Sequence, residues 1–175
     1  IKHLVPCGQC EGCLQSKRSE WAIRLLHEEE KCKNAYFITL TYQDSNLPLM
    51  DGIPVLSKQD LQNFFKRYRK AYKSKYGSDA KQDNFRYYAV GEYGEKTYRP
   101  HYHAIVYNVD LELLLKQWQK KEERIGNVHA GTVKKESINY VASYVINKKK
   151  YAKRTKYPPF AIMSKGLGKH YTEAA

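Results

Sequence analysis

Residues 85–108 read FRYYAVGEYGEKTYRPHYHAIVYN and contain the pattern that decides the fold. Residues 85–92 and 101–108 are each rich in aromatic and β-branched side chains, which favour strands. The connection between them carries Gly94 and Pro100, residue types that interrupt strands. We therefore predict an antiparallel hairpin of two neighbouring strands.

The flanking segments extend this hairpin into a ferredoxin-like arrangement. Apolar periodicity predicts strands at 36–42 and 127–133 and helices at 16–32, 57–76, 110–123 and 137–149. The order of the central elements, β-α-β-β-α-β, is that of a split βαβ unit. We predict an α+β protein whose central antiparallel sheet, of four to five strands, has helices on one face. The other face would then be free, and we expect the chemistry there.

Length and charge favour one domain that binds a polyanion. The chain has 175 residues, and we treat 1–175 as one domain with a cysteine-containing start, 1–15, and a basic extension, 150–175. Its 31 Lys and Arg against 18 Asp and Glu give a net charge of +13, which indicates nucleic acid as the partner. A hydrophobic fraction of 42% excludes a disordered tail. No apolar run or signal-peptide pattern indicates a membrane partner.

His101, Tyr102 and His103 lie inside the second predicted strand. Side chains alternate along a strand, so both histidines project from one face, about 7 Å apart, and can converge on one divalent ion. The hairpin would bring the carboxylate of Glu92, at the end of the preceding strand, or of Glu95, in the connection, beside them. Two imidazoles and one carboxylate with open coordination positions suit Mn²⁺ or Mg²⁺. The competing interpretation is a set of solvated polar groups.

Tyr140 and Tyr144 are spaced i, i+4 in the last predicted helix, so both phenols leave the same face one turn apart. A tyrosine oxygen can act as a covalent nucleophile. The chain has 16 tyrosines, however, and such a pair is also typical of an ordinary packed helix face. The histidine strand gives the pair its significance, because a metal-bound phosphodiester needs an attacking oxygen.

Three of the four cysteines share the spacing C-x-x-C-x-x-C. The candidate zinc ligands are Cys7, Cys10 and Cys13, with Cys32, His27 or His3 as the fourth. The alternative is a set of reduced cysteines in a tight glycine-containing turn, because structural zinc usually pairs two such knuckles. Clustered cysteines of this kind indicate a reducing compartment.

The blocks that carry a family resemblance span nearly the whole chain: VPCGQC at 5–10, WAIR at 21–24, FITLTY at 37–42, GEYG at 91–94, RPHYH at 99–103, YVASYV at 140–145 and MSKGLG at 163–168. In these blocks the chain resembles the HUH-type rolling-circle replication initiators. More narrowly, it resembles the initiator endonucleases of small single-stranded DNA phages of the gokushovirus type, in the Microviridae.

This resemblance implies a metal-dependent endonuclease and ligase that nicks single-stranded origin DNA through a 5′-phosphotyrosine, and so initiates and terminates rolling-circle replication. It implies His101, His103 and Glu92 as metal ligands and Tyr140 and Tyr144 as nucleophiles. Related proteins often carry lysine three residues after each of these tyrosines. This chain has Ser143 and Asn147 there, so Lys148 becomes the candidate for the catalytic lysine.

Single-stranded DNA is expected to lie across the sheet. The candidate DNA-binding residues are Arg99, Tyr42, Tyr87, Lys149, Lys150, Lys153 and Arg154. Their rings would stack on unpaired bases and their cations would bind phosphates. The alternatives are burial of the rings in the core and a solvated run of charges. The chain has no G-x-x-x-x-G-K-[ST] motif, so we expect a host helicase and polymerase as partners, in the cytoplasm of the bacterial host.

Two other functions stay open on the sequence alone. One is a non-catalytic module that binds single-stranded nucleic acid and carries a zinc knuckle. The other is a related HUH transposase or relaxase. The histidine strand and the tyrosine pair favour an enzyme over a binding module, which needs neither, whereas a transposase or relaxase differs only in its DNA target.

Overall fold

A computed structural model describes residues 5–77, 84–151 and 156–169, with the backbone alone described for 145–151. A short 3₁₀ turn lies at Asp44–Asn46. The helices and strands of the described part are, in chain order, α1 (Glu11–Lys31), β1 (Ala35–Thr41), β2 (Leu49–Met50), β3 (Ile53–Pro54), α2 (Lys58–Tyr76), β4 (Arg86–Tyr93), β5 (Pro100–Tyr107), α3 (Leu111–Leu115), β6 (Gln119–Lys120), β7 (Glu123–Arg124), β8 (Val128–Thr132), α4 (Lys135–Tyr151) and β9 (Phe160–Met163).

The main sheet has five strands in the order β8-β1-β5-β4-β9, and each neighbouring pair is antiparallel. The predicted α+β class and antiparallel sheet are confirmed. The predicted hairpin is β4 and β5, whose register pairs Glu92 with His101 and Val90 with His103. The order of β8, β1, β5 and β4 is that of a split βαβ unit, with β9 added at the edge.

Helix α2 covers one face of the sheet. Ser57 begins it as an N-cap, with its side-chain oxygen accepting the Asp60 N–H at 3.1 Å. Its buried side chains follow helical spacing at Leu61, Phe64, Phe65 and Tyr68. They pack in one hydrophobic core with the inward residues of β1, β4 and β5, so this face of the sheet is closed.

The opposite face is covered as well, so the prediction of helices on one face only was wrong. There Tyr88 and Ile105 of the sheet share a second core with Leu25 of α1 and Val141 of α4. The two helices of the split βαβ unit, α2 and α3, do pack on a single face. Helices α1 and α4 flank that unit in sequence and occupy the face that it leaves open. The candidate site lies on this second face.

Helix α3 is far shorter than the predicted helix at 110–123. It ends at Leu115, and a β6–β7 hairpin follows with Lys121 and Glu122 at φ 49° and 67°. Trp118 continues the apolar spacing but is fully buried in the sheet core, and its Nε1 donates to the Thr41 carbonyl at 2.8 Å. This bond and the burial of the indole fix the chain on the sheet, where a continued helix would not hold it.

The fifth strand comes from the basic extension. β9 pairs with β4 and is followed by buried Leu167, which joins the core of the second face. The Gly168 N–H then donates to the buried Glu28 carboxylate of α1 at 2.9 Å. Gly168 has φ +64°, and a Cβ there would lie 2.6 Å from the Arg24 Cβ, so glycine permits the close approach. Residues 160–169 therefore pack as part of the folded unit.

Candidate metal centre and tyrosine pair

Three strands position the polar cluster on the second face. In the register of β4, β5 and β1, Glu92 lies opposite His101, and His103 lies between Val90 and Thr39. Side-chain alternation sends both histidines, Thr39 and Glu92 to the same face. Glu92 is only 5% exposed, although it lies next to the turn at 94–99. Glu95 is exposed in that turn, outside the cluster.

One carboxylate oxygen collects three polar groups. The Nε2 atoms of His101 and His103 lie 2.8 Å and 2.9 Å from Glu92 Oε1. The Tyr140 hydroxyl donates to the same oxygen at 2.6 Å. One ligand atom from each of Glu92, His101 and His103 lies within 4.8 Å of the others, which is the spread that a single ion can bridge.

Hydrogen bonds behind the histidines fix their rings. His101 Nδ1 donates to the Arg99 carbonyl at 3.1 Å, and His103 Nδ1 contacts Thr39 Oγ1 at 2.9 Å. Phe37 stacks on the His103 ring at 5.3 Å between centroids. Metal-binding histidines commonly have their second nitrogen held in this way, because it orients the ligating one. The donor set and its orientation therefore fit a divalent cation with open positions.

The cluster changes the protonation of its members. Burial raises the pKa of Glu92, but hydrogen bonds from His101, His103 and Tyr140 outweigh it and bring that pKa down to about 2. Burial, together with the hydrogen bond to Glu92, raises the pKa of the Tyr140 phenol above its ordinary value. Burial lowers the pKa of His101, but the Glu92 carboxylate overcomes this and the net shift is upward. The site thus holds a carboxylate anion beside a protonated phenol.

The two tyrosines stand one above the other on α4. The Tyr144 hydroxyl donates to the Tyr140 hydroxyl at 2.9 Å, and the ring centroids lie 5.3 Å apart. Tyr140 is 41% exposed, so a substrate can approach its oxygen. Ser143, in the first position where relatives often carry lysine, donates to the Tyr140 carbonyl at 2.6 Å. The side chains of Asn147 and Lys148 lie outside the described residues.

The predicted DNA-binding residues have mixed placements. Tyr42 is 3% exposed and its hydroxyl bonds to Asp60 and Tyr102, so its ring has no face to offer a base. Tyr87 is half-buried, with its ring stacked on Phe65 at 3.8 Å. The stacking role predicted for both rings was wrong because they belong to the core under α2.

The predicted phosphate-binding cations form no common group in the described residues. Arg99 is held at 2.6 Å from Asp44 and at 2.6 Å from the Tyr42 carbonyl, which ties the turn at 94–99 to the end of β1. Of the basic residues, Lys149 and Lys150 are described by backbone alone, and Lys153 and Arg154 lie outside the described residues.

The cysteines divide into a cluster and a lone residue. Cys7, Cys10 and Cys13 each bring a sulfur to within 4.8 Å of the others. The backbone N–H groups of Gln9 and Cys10 point at Cys7 Sγ, at 3.4 Å and 3.2 Å, and lower the pKa of this exposed thiol to about 6. Backbone N–H groups aimed at one thiolate are typical of a metal knuckle.

Cys32 was wrongly predicted as a fourth ligand of the same ion. It follows the C-terminal end of α1, whereas Cys13 lies in the first turn, and a helix rises about 1.5 Å per residue, which separates them by roughly 28 Å. Its sulfur donates to the Glu29 carbonyl instead. His27 lies near that same end of the helix, and His3 lies outside the described residues.

Thr39 is a site residue that the sequence analysis missed. It lies on β1, directly opposite His103, and touches the ring nitrogen that faces away from Glu92. The signal was present in residues 37–42, because alternation from Phe37 places Thr39 and Thr41 on one face. Strand order was the missing information, since β1 becomes a neighbour of β5 only through the split βαβ connection.

Fold and site together define an α+β protein whose antiparallel sheet carries a two-histidine, one-carboxylate cluster facing a tyrosine pair. The model of the replication-associated protein ORF2 family matches residues 35–150, which contain the sheet and the cluster. The chain belongs to this family of phage replication-associated proteins. Within the described residues, no helix has both the length and the apolar character that a bilayer crossing requires.

Similar proteins come from three phages. The replication-associated protein ORF2 of Spiroplasma virus 4 is 32% identical over 189 residues, covering 98% of this chain and 58% of that protein. The replication-associated protein VP4 of Bdellovibrio phage phiMH2K is 31% identical over 159 residues, covering 82% and 48%. The replication-associated protein ORF4 of Chlamydia phage 1 is 27% identical over 136 residues, covering 78% and 30%.

The chain therefore spans about half the length of its first two relatives and less of the third. No solved structure matches it.

Proposed function

We propose that this chain is an HUH-type endonuclease and ligase that nicks single-stranded origin DNA through a covalent 5′-phosphotyrosine and so initiates and terminates rolling-circle replication. The observation that carries the proposal is the contact between the Tyr140 hydroxyl and Glu92 Oε1, within a cluster that both histidines also face. Membership of a phage replication-associated family supports the same conclusion.

His101, His103 and Glu92 would hold Mn²⁺ or Mg²⁺. Such an ion, when bound, polarises a phosphate oxygen and stabilises the charge that develops during an in-line displacement. The Nδ1 contacts to Thr39 and to the Arg99 carbonyl keep both imidazoles turned toward Glu92 before any ligand arrives. This preorganisation means that binding does not have to include the cost of ordering the two rings.

Tyr140 is the group that would attack phosphorus. Its phenolic oxygen forms the new bond to phosphorus while the bond from phosphorus to the 3′ oxygen breaks, and the 3′ oxygen leaves as a hydroxyl after taking up a proton. Glu92 accepts a hydrogen bond from the phenol and is the nearest acceptor for its proton. Attack of the retained 3′ hydroxyl on the phosphotyrosine reverses each change and religates the strand without ATP.

Tyr144 would provide a second attack. Its hydroxyl lies 2.9 Å from that of Tyr140, so a strand transferred from one cleavage can meet a free phenol in the same site. A second cleavage before the first adduct is resolved is what termination of a replication round requires. The proposed partners are single-stranded origin DNA and a host helicase and polymerase, in the cytoplasm of the bacterial host.

The test is a covalent-adduct assay with a labelled single-stranded oligonucleotide from the phage origin and Mn²⁺. We expect a protein–DNA adduct on a denaturing gel, lost with EDTA and in the Tyr140→Phe, Tyr144→Phe double variant. Tyr76→Phe, an exposed tyrosine at the end of α2, is the matched control and should keep the adduct. An undiminished adduct in the double variant would refute the assignment. Binding without any adduct would favour the non-catalytic module.

We also infer that Cys7, Cys10 and Cys13 hold a zinc ion through their thiolates. Their convergence and the two N–H groups aimed at Cys7 Sγ support this. Metal analysis of protein purified without chelator should give equimolar zinc, reduced in Cys10→Ser and retained in Cys32→Ser. Zinc near zero in the unmodified chain would end the idea.

A further inference from the structure

A cavity of about 430 Å³ opens beside the turn at 94–99. Its walls include Met50 and Ile53 of the β2–β3 hairpin, Tyr98 of the turn, and Lys156. Ile53 is 66% exposed and Tyr98 57% exposed, so two large apolar side chains face solvent at the edge of one concave surface. Exposed apolar groups around a cavity, with a cation beside them, are typical of a binding site rather than of a fold constraint.

The cavity is held open by fixed contacts. The Tyr93 hydroxyl, in its wall, accepts the Leu56 N–H at 3.0 Å and donates to the Tyr157 carbonyl at 2.9 Å. This one phenol ties the hairpin side of the cavity to the chain that carries Lys156. Asp51 and Gly52 form the hairpin turn with φ 52° and 77°, the paired positive angles of a tight two-residue turn. The walls therefore need little rearrangement to receive a ligand.

The cavity and the metal centre share one turn of the chain. Tyr93 directly follows Glu92 in β4, and the two side chains leave opposite faces of the sheet. The Arg99 carbonyl accepts the Gly94 N–H at 3.0 Å and also the His101 Nδ1 at 3.1 Å. The turn that presents Tyr98 is thus hydrogen-bonded to the histidine that faces Glu92. A strand crossing this end of the sheet can contact both places.

The chemistry of the walls fits an unpaired nucleobase. The exposed Tyr98 ring offers a face for stacking, Met50 and Ile53 offer apolar contact, and Lys156 offers a cation for the adjoining phosphate. Asp51, also in the wall, adds a carboxylate that can only accept hydrogen bonds, which favours a base with an exocyclic amino group. The chain's net charge of +13 favours a polyanion over a neutral or basic protein surface as the source of the occupant.

We propose that this cavity binds one unpaired, amino-bearing nucleobase of the DNA strand whose phosphate lies at Glu92, His101 and His103. The proposal rests on the proposed nicking function and adds a base-reading subsite to it. Such a subsite fixes which phosphodiester reaches Tyr140, because a base held on one side of the sheet end sets the register of the strand on the other.

The test measures binding without cleavage, in EDTA, so that its outcome is separate from that of the adduct assay. The probes are fluorescent oligonucleotides of about 15 abasic residues that carry a single central cytosine, a single thymine or no base. The strand can slide until its one base meets the cavity. We expect the full chain to bind the cytosine probe about tenfold more tightly than the fully abasic probe, by fluorescence anisotropy.

Three variants locate the effect, and a fourth serves as a control. Tyr98→Ala should lose the preference for the cytosine probe and keep its affinity for the abasic probe, which also reports that the variant is folded. Tyr98→Phe should bind like the unmodified chain, and so should the control Tyr76→Ala, at an exposed tyrosine remote from the cavity walls. Asp51→Asn should bring the affinities for cytosine and thymine probes closer together.

The proposal is overturned if Tyr98→Ala keeps the full cytosine preference, which would place the base elsewhere, or if the unmodified chain binds all three probes equally. The second result would leave the cavity to a protein partner. An adduct in the nicking assay together with either result would reject the subsite alone, whereas a tenfold cytosine preference without any adduct would reject the nicking function alone.

Discussion

At the scale of single residues, the contacts of the two tyrosines differ. The Tyr140 hydroxyl donates directly to Glu92, whereas the Tyr144 hydroxyl donates to Tyr140. The phenol nearer to the carboxylate is the better placed first nucleophile. We expect Tyr140→Phe to reduce the rate of first adduct formation by at least about a hundredfold, in the range of losing a principal catalytic group, and Tyr144→Phe by far less. Single-turnover adduct kinetics measure both, and a larger loss in Tyr144→Phe would reverse the order.

Thr39 tests the support behind the metal ligands. Replacing it with valine removes the hydroxyl next to His103 Nδ1 and keeps the side-chain volume, so the ring loses its fixed orientation. We expect Thr39→Val to weaken Mn²⁺ binding about tenfold by isothermal titration calorimetry, the lower end of the effect of removing such a partner. Thr41→Val, on the same strand and the same face, is the control. Equal losses in both variants would make the effect one of strand packing.

At the scale of elements, Gly126 marks how β8 joins the sheet. A Cβ at Gly126 would lie 1.7 Å from the Thr41 carbonyl oxygen, and a backbone atom there cannot move aside. Thr41 and Asn127 exchange both backbone hydrogen bonds at this point. We expect Gly126→Ala to lower the free energy of unfolding by about 3 kcal/mol or more in urea titrations. Gly131→Ala, where a Cβ meets nothing within 4 Å, should change it little. Similar values for both variants would contradict the close approach.

Asp110 joins two elements by charge. Its carboxylate caps α3 through the Leu113 N–H and accepts from Lys75 and Tyr76 at the end of α2. The bond from Lys75, followed by the cap and the Tyr76 hydroxyl, lowers the pKa of Asp110 to about 2, below its unfolded value. Its stabilising effect is therefore complete above the unfolded pKa of about 4 and is lost as the pH falls through about 2.

The corresponding variant is Asp110→Ala. It should lower the free energy of unfolding by about 1 kcal/mol at neutral pH, the usual cost of losing an N-cap. The difference from the unmodified chain should narrow in urea titrations carried out toward pH 2. Asp110→Asn keeps a capping oxygen and so separates the cap from the charge. A difference that does not change between neutral pH and pH 2 would show that the charge contributes nothing.

Local patterns explain which elements could be predicted. The strands at β4 and β5 and the capped helix α2 follow from side-chain alternation, helical spacing and Ser57, which need only neighbouring residues. The predicted helix at 110–123 failed because Trp118 obeys helical spacing but its burial in the sheet core decides the backbone. Strand β9 was missed because a run of four residues acquires its meaning only beside β4.

At the scale of the whole molecule, the same limit applies to the site. Alternation predicted that His101 and His103 share a face, and the hairpin predicted Glu92 as their carboxylate. The meeting of these residues with Tyr140 depends on α4 packing against the second face, a contact between segments about 40 residues apart in sequence. The spacing of the tyrosines could indicate that they share a face, but not that the face turns toward the sheet.

Charge and site separate over the whole molecule, and this gives a last prediction. The net charge of +13 comes from dispersed Lys and Arg, whereas the metal centre consists of two histidines and one glutamate. Removing divalent metal with EDTA should therefore abolish adduct formation while leaving affinity for single-stranded DNA within about twofold. Raising salt from about 50 to 200 mM should do the reverse to binding, weakening it on the order of tenfold to a hundredfold through counterion release.

Filter binding or anisotropy measures the affinities, and the gel assay measures the adduct at saturating protein, where weaker binding no longer limits the yield. At that protein concentration the adduct yield should be insensitive to salt and dependent on metal. His103→Ala should behave like EDTA treatment, since it removes a ligand while leaving the net charge of the chain, counted with neutral histidines, at +13. If EDTA abolished DNA binding together with the adduct, the metal would act in recognition, and charge and chemistry would not be separable in this protein.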